Sequence, residues 1–363
     1  MAAAEMSKML ASEDPLSKVE ALQYFQSAGS FDADSGFNIC QCLADSDMLV
    51  RGAAAQVLAA AAGDTMPMVG KVAQLLASGD CGAKCAAAEV LGALASGAEP
   101  HAEAIAALLS EDGEDASAAM LVSGCVAPRP KASMRIPKCA AAEALPKLGA
   151  PGRAFAAAVA KLLNDKLPEV RCAAVASLGA MGQEGAAHED DVLRTLLAEK
   201  DPLVIAAAAS SLAEMSRALG APSDASLQAV LKLFGSQHPS VRSGAARALG
   251  AMGDAAVPHT GKLVKCLSDR SPQVKIAAMS ALTELGPAGQ VYAADLARLA
   301  HDDWQLTSVR AASLDALACM GDRGAAFEED IADLLGDEEE EVRVAAARAL
   351  EHFGSWPGWK AEE

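Results

Sequence analysis

His101, His188 and His259 each stand 17 residues after a basic residue, Lys84, Arg171 and Arg242 respectively. Imidazoles at a fixed interval could gather around a metal or serve as an acid–base set. Cys85, Cys139 and Cys172 each directly follow a basic residue and could supply thiolates. Paired glycines at Gly149/Gly152, Gly182/Gly185, Gly286/Gly289 and Gly321/Gly324 could line a loop that cradles phosphate.

Repetition decides among these readings. Lys18, Arg51, Lys84, Lys138, Arg171, Ile205, Arg242, Lys275, Arg310 and Arg343 anchor one pattern. Three positions after each anchor stands Ala, or Ser313 once, and seven positions after it stands Leu, or Phe25 once. Five of the nine intervals are 33 residues and the others are 34, 35, 37 and 54. A fixed period of this size marks a stacked array in which each unit buries surface against its neighbours. The slot of the three histidines also holds Met68, Phe155, Pro222, Tyr292 and Phe327, which makes it a packing position. Stacked helices lie about 8–10 Å apart, too far for histidines of neighbouring units to share an ion at bonds of about 2 Å. The cysteine slot otherwise holds mostly small residues such as Gly52, Ala206, Ser243 and Ala311, so the thiols read as small buried hydrophobes. The paired glycines recur at one repeat position and read as helix stops followed by turns. No catalytic residue, metal ligand or cofactor is therefore assigned.

Each unit reads as two helices. Around Arg171, Pro168 suits a first helical turn. Val170, Ala174, Leu178 and Met181 then mark one buried face at helical spacing, and Gly182 ends the helix. The anchor helices are expected at 15–28, 48–62, 81–96, 134–149, 168–181, 202–219, 239–252, 272–285, 306–320 and 340–353, with a kink at Pro146. Between them fall second helices such as 153–164, 189–199 and 290–301. The expectation is one continuous domain over 1–363, with an insertion at 112–132 and a tail at 354–363.

Aromatic residues are only 3% of the chain, so the core must be built of Ala, Leu and Val. The formal net charge is -18. Phosphate backbones repel such a surface, which excludes nucleic acid as a primary ligand. It suits a protein partner with a basic surface, or serves solubility alone. Nine cysteines without paired spacing point to a reducing compartment. The expected location is the cytoplasm, or an organelle if a targeting segment has been removed. No apolar run is long enough to span a membrane.

The lines Val170-Arg171-Cys172-Ala173-Ala174 through Gly182, Val241-Arg242 through Gly253, and Val342-Arg343 through Leu350 resemble the HEAT repeat, most narrowly the HEAT-like repeats of the phycobilisome-lyase type. HEAT units carry an Asp six residues before the Arg. Here Asp45, Asp165, Asp269 and Asp337 precede Arg51, Arg171, Lys275 and Arg343 by six. The resemblance implies an all-α, right-handed α-solenoid of about ten helix pairs, with the anchor helices lining its concave side. It also implies that these residues, with Arg242 and Arg310, form a structural ladder joining units. Deoxyhypusine hydroxylases resemble such arrays but hold two irons on His-Glu pairs in successive units, and only His188-Glu189 reads that way here. The phycobilisome-lyase likeness leaves a bilin lyase-like or chromoprotein-assembly role as the alternative to a non-enzymatic scaffold or adaptor that binds another protein.

Two stretches break the repeat and are the expected partner contacts. One is the basic, proline-containing end of the insertion with Arg129, Lys131, Arg135 and Lys138. The other is the tail with Trp356 and Trp359, which either caps the last unit or docks into a partner. On the anchor helices, the plus-five slot (Gln23, Gln56, Glu89, Glu143, Ala176, Ser210, Arg247, Ser280, Asp315, Arg348) is expected to be exposed.

Overall fold

A computed structural model describes residues 2–111 and 136–354. Every regular element among them is helical. Ten anchor helices carry the repeat: α1 (Pro15–Ala28), α2 (Met48–Ala60), α3 (Cys81–Ala93), α4 (Pro137–Ala144), α5 (Pro168–Ala180), α6 (Pro202–Leu219), α7 (Pro239–Ala251), α8 (Pro272–Glu284), α9 (Thr307–Ala318) and α10 (Glu340–Phe353). A second layer of shorter helices, such as Ala33–Cys42 and Thr260–Cys266, packs on them.

The starts of these helices follow from local chemistry. Asp14, Asp47, Asp80 and Asp201 accept hydrogen bonds from the first free amides of α1, α2, α3 and α6, which would otherwise lack partners. Proline supplies the first residue of six anchor helices, where its missing N–H costs nothing. Pro146 ends the α-helical hydrogen bonding of α4 at Ala144, and the chain continues as a tighter 3-10 turn over Leu145–Leu148. The expected kink is thus a change of helix type. Serine at Ser216 replaces the usual stop glycine of α6, which therefore runs on to Gly220.

The core follows the pattern slot by slot. The plus-three residues, from Ala21 to Ala346, are all 0% exposed. The plus-seven residues, from Phe25 to Leu350, are at most 4% exposed. Alanine at the closest contact lets neighbouring backbones approach, and leucine fills the space one turn on. Ser313 takes an alanine position because its hydroxyl donates to the Val309 carbonyl at 2.8 Å, which satisfies a buried polar group within its own helix.

The chain groups into two compact units, residues 1–191 and 192–363, where the sequence suggests one continuous domain. Contacts in a repeat array are made between neighbours, so such grouping is compatible with an unbroken period. In the first unit α1 to α5 stack in order, and in the second α6 to α10 do the same. Helix α3 packs directly on α4 although 54 residues separate their anchors. The insertion at 112–132 lies outside the described residues, as does the tail from 355 onward.

Candidate functional site

The links that lead from a second-layer helix to the next anchor helix carry a recurring charge network. Lys18 pairs with Asp45, Lys84 with Glu111, Lys138 with Asp165, Arg242 with Asp269 and Arg310 with Asp337. Every pair spans 27 residues, from an anchor to the acid preceding the next anchor helix. The Arg242–Asp269 pair is bidentate, with Nε and Nη2 each 2.7 Å from a carboxylate oxygen. The acids also work locally. Asp45, Asp165, Asp269 and Asp337 accept from the amide two residues on, at 2.8–3.0 Å. Four arginines, Arg51, Arg171, Arg242 and Arg343, direct Nη1 back to the carbonyls six and five residues before them. Each guanidinium thus ties down the link that leads into its own anchor helix, and that of Arg242 also holds Asp269 of the next link.

Electrostatics agree with this geometry. The Arg242 guanidinium holds the Asp269 carboxyl below the usual carboxylate range. Burial alone would raise Asp45, but hydrogen bonds from Lys18 and the Asp47 amide outweigh it, and its carboxyl also lies low.

Where the ladder sequence varies, the chemistry varies with it. Ile205 replaces the cation of the sixth unit, and Ser236 stands in the acid slot before the next anchor. Arg51 keeps its charge, but the corresponding acid slot is Ser78. Both serines still accept from the amide two residues on, at 3.1 and 3.2 Å. Lys275 donates to Gln305, whose amide nitrogen donates in turn to Asp302 at 2.7 Å. The link before α9 is two residues longer than the period. There Arg310 is drawn inside to 5% exposure, and its Nε donates to the Ala300 carbonyl at 2.8 Å.

Of the expected partner-contact residues, Lys138 belongs to this ladder, 3.1 Å from Asp165. Arg129, Lys131, Arg135, Trp356 and Trp359 lie outside the described residues. The plus-five slot is exposed at eight of its ten positions and half-buried at Glu89 and Ser210. His101 and His259 stand at the starts of second-layer helices, and His188 Nδ1 lies 3.1 Å from Asp191. Among the described residues, no three His, Cys, Asp or Glu side chains are grouped to hold a metal. Cys85 and Cys139 are 1% and 0% exposed. Burial pushes the Cys139 thiol up to about 12 and Cys85 higher still.

Two residues escaped the sequence reading. Glu111 fills the acid slot of the third unit, and its position 27 residues after Lys84 was the available signal. Trp304 is 95% exposed on the lengthened link, where the 35-residue interval between Lys275 and Arg310 pointed to added chain.

The chain is similar to Kap121p in "Crystal structure of Kap121p bound to Nup53p", at 12% identity and a TM-score of 0.55 over 97% of this chain and 45% of that one. It is similar to Kap121p bound to the extreme C-terminus of the protein phosphatase Cdc14p, at 11% identity and a TM-score of 0.53, over 98% and 46% of the two chains. A homology model of the full-length AP-3 complex in an intermediate open conformation contains a chain 13% identical, with a TM-score of 0.55 over 98% and 65%. The chain therefore spans less than half of Kap121p, and the likeness is one of fold. Among curated protein sequences none matches significantly. The family description that matches is that of HEAT repeats in general, and neither it nor the structural neighbours supports the narrower phycobilisome-lyase likeness. That description fits residues 135–213, 190–260 and 236–318, together just over half of the sequence, and with the ladder and the stacked helix pairs this places the chain in the HEAT-repeat family.

Proposed function

We propose that this chain is a non-enzymatic scaffold or adaptor that binds another protein through the exposed face of its anchor helices. One contrast carries the reading. The plus-three and plus-seven slots are nearly uniform and buried, whereas the plus-five slot, on the opposite side of the helix, is mostly exposed and chemically varied. It runs through Gln23, Gln56, Glu143, Arg247, Asp315 and Arg348. Packing accounts for the first two slots. A surface fitted to a partner accounts for the third, since extended solenoid faces commonly grip proteins. That Kap121p, similar in fold, is described bound to Nup53p supports the same use.

The net charge of -18 favours a partner with a basic surface. The basic end of the insertion, Arg129, Lys131 and Arg135, is a second proposed contact, as loops on rigid scaffolds often carry recognition. The Trp356 and Trp359 tail is proposed to cap the last unit or to dock. The eight described cysteines are free thiols, which supports a reducing compartment such as the cytoplasm.

The test is affinity purification from the native cell, with co-purifying chains identified and rebound in pure form. A defined partner supports the scaffold reading, and its loss from an Arg129→Ala, Lys131→Ala, Arg135→Ala chain of unchanged melting temperature supports the insertion contact. Mixing the pure chain with a free bilin probes the alternative. A shifted, stoichiometric visible band would replace the scaffold reading with a pigment-handling one.

A further inference from the structure

The lengthened link between Ala293–His301 and α9 reads Asp302-Asp303-Trp304-Gln305-Leu306. Its added length raises Trp304 to 95% exposure and leaves Leu306 60% exposed. A tryptophan offers roughly 150–250 Å² of apolar area, and nearly all of this one faces water.

The link is firmly held beneath that side chain. Asp302 accepts from the Trp304 amide at 3.1 Å, and the Gln305 amide donates to the Asp302 carbonyl at 2.9 Å. The Gln305 side chain bridges Asp302 and Lys275 of the preceding anchor helix. Arg310 holds Asp303 at 3.4 Å with the same Nη2 that binds Asp337 of the following link. Trp304 is therefore displayed on an ordered base beside a second loop. That loop leads through Glu338 and Glu339 into Glu340 and Glu341 at the start of α10, all four exposed. Among the described residues, no cation pairs with these four carboxylates.

We infer that Trp304 and Leu306, with Asp303, Glu338 and Glu339 beside them, form a docking surface for a Lys/Arg-bearing linear segment of another protein. The inference rests on the scaffold reading and adds the chemistry of one partner segment. The indole face attracts a cation and covers its aliphatic stem, Leu306 extends the apolar contact, and the carboxylates meet the remaining charge. A second copy of this chain fits poorly, because two such faces would bring like charges together. Phosphate-bearing ligands are disfavoured on the same ground.

The experiment uses the full chain and a fluorescein-labelled ten-residue peptide of Lys and Arg with two Leu, followed by anisotropy at low and physiological salt. Saturable binding is expected. Trp304→Ala should weaken it about tenfold or more, as expected of a central aromatic contact. Glu338→Lys with Glu339→Lys should weaken it and flatten its salt dependence. Trp304→Ala should not lower the melting temperature, since its side chain is exposed, and the lysine variant should lower it only slightly, because it sets cations at the start of α10. No saturable binding, or binding that Trp304→Ala leaves within threefold, overturns the proposal. Dimerisation that Trp304→Ala abolishes, without peptide binding, overturns it in favour of a second copy. The broader reading is judged separately. If a purified native partner binds both wild type and Trp304→Ala equally, this surface falls while the scaffold stands.

Discussion

The Thr65 hydroxyl donates to the Leu58 carbonyl at 2.8 Å, and four other units place a glycine where Thr65 stands. Those glycines are Gly152, Gly185, Gly289 and Gly324, each pressed against the plus-seven carbonyl of its own unit. An ideal Cβ at Gly185 would lie 1.8 Å from the Leu178 oxygen. Where alanine takes the slot, at Ala98 and Ala256, the link becomes a 3-10 helix. Gly185→Ala should therefore destabilise the chain by about 2 kcal/mol, the scale of overpacking, read as a lower urea midpoint. Thr65→Val should cost about 1 kcal/mol through the lost hydrogen bond. An unchanged midpoint for Gly185→Ala would mean the turn relaxes freely into the 3-10 form.

Ala95 is strained in a way that predicts a stabilising change. The position eleven after the anchor holds glycine at positive φ in Gly149, Gly182, Gly253, Gly286 and Gly321, and Ala95 adopts φ 48 in the same slot. A Cβ there costs roughly 1–2 kcal/mol, partly offset by the greater freedom of glycine in the unfolded chain. Ala95→Gly should raise stability by about 1 kcal/mol, measured by thermal and urea unfolding. A loss of stability would refute the strain.

The ladder makes stability depend on acid. Asp269 has a folded pKa below its unfolded value, first because of its hydrogen bond from Arg242. A depressed carboxylate contributes stability that is complete above the unfolded value, about 3.9, and disappears as pH falls through the lower folded value. Arg242→Met should cost about 2 kcal/mol near neutral pH. The gap from wild type should narrow as pH drops below about 4, leaving the part due to the Nη1 bonds to the Ser236 and Gln237 carbonyls. Unfolding curves from pH 7 to pH 3 check both parts, and a pH-independent gap would count against the ion pair.

The thiols should separate cleanly in labelling. Cys319 is exposed, whereas Cys85, Cys139, Cys40, Cys42 and Cys266 are buried. Burial pushes Cys40, Cys42 and Cys266 up to about 11, so little reactive thiolate forms near neutral pH. Iodoacetamide at pH 8 should modify Cys319 within minutes and leave the buried thiols until denaturant is added, as located by peptide mass spectrometry. Early modification of Cys139 would contradict its packing role.

Much of this organisation is legible from spacing alone. Helix α1 occupies the expected 15–28, and α6 ends at Leu219 as read. Buried alanine and leucine leave a periodic trace that does not depend on distant contacts. The second layer is less legible. A helix expected over 153–164 appears as Ala156–Lys161 with a 3-10 turn after it, preceded by a separate turn over Gly149–Arg153. Gly182 and its counterparts fix where a helix stops, but the carbonyl that Gly185 and its counterparts press against lies in another element and leaves no local mark. Trp304 escaped for a related reason. Two extra residues in a link disturb no buried position, so only the folded chain reveals which side chain they lift into solvent.

The tie between Lys84 and Glu111 is completed before the added segment begins, and α3 rests on α4 as though nothing intervened. The joint after Glu111 thus works as a splice port: length added there leaves the packing of α3 on α4 intact, which makes it the natural place to graft a tag, a reporter or a second binding module.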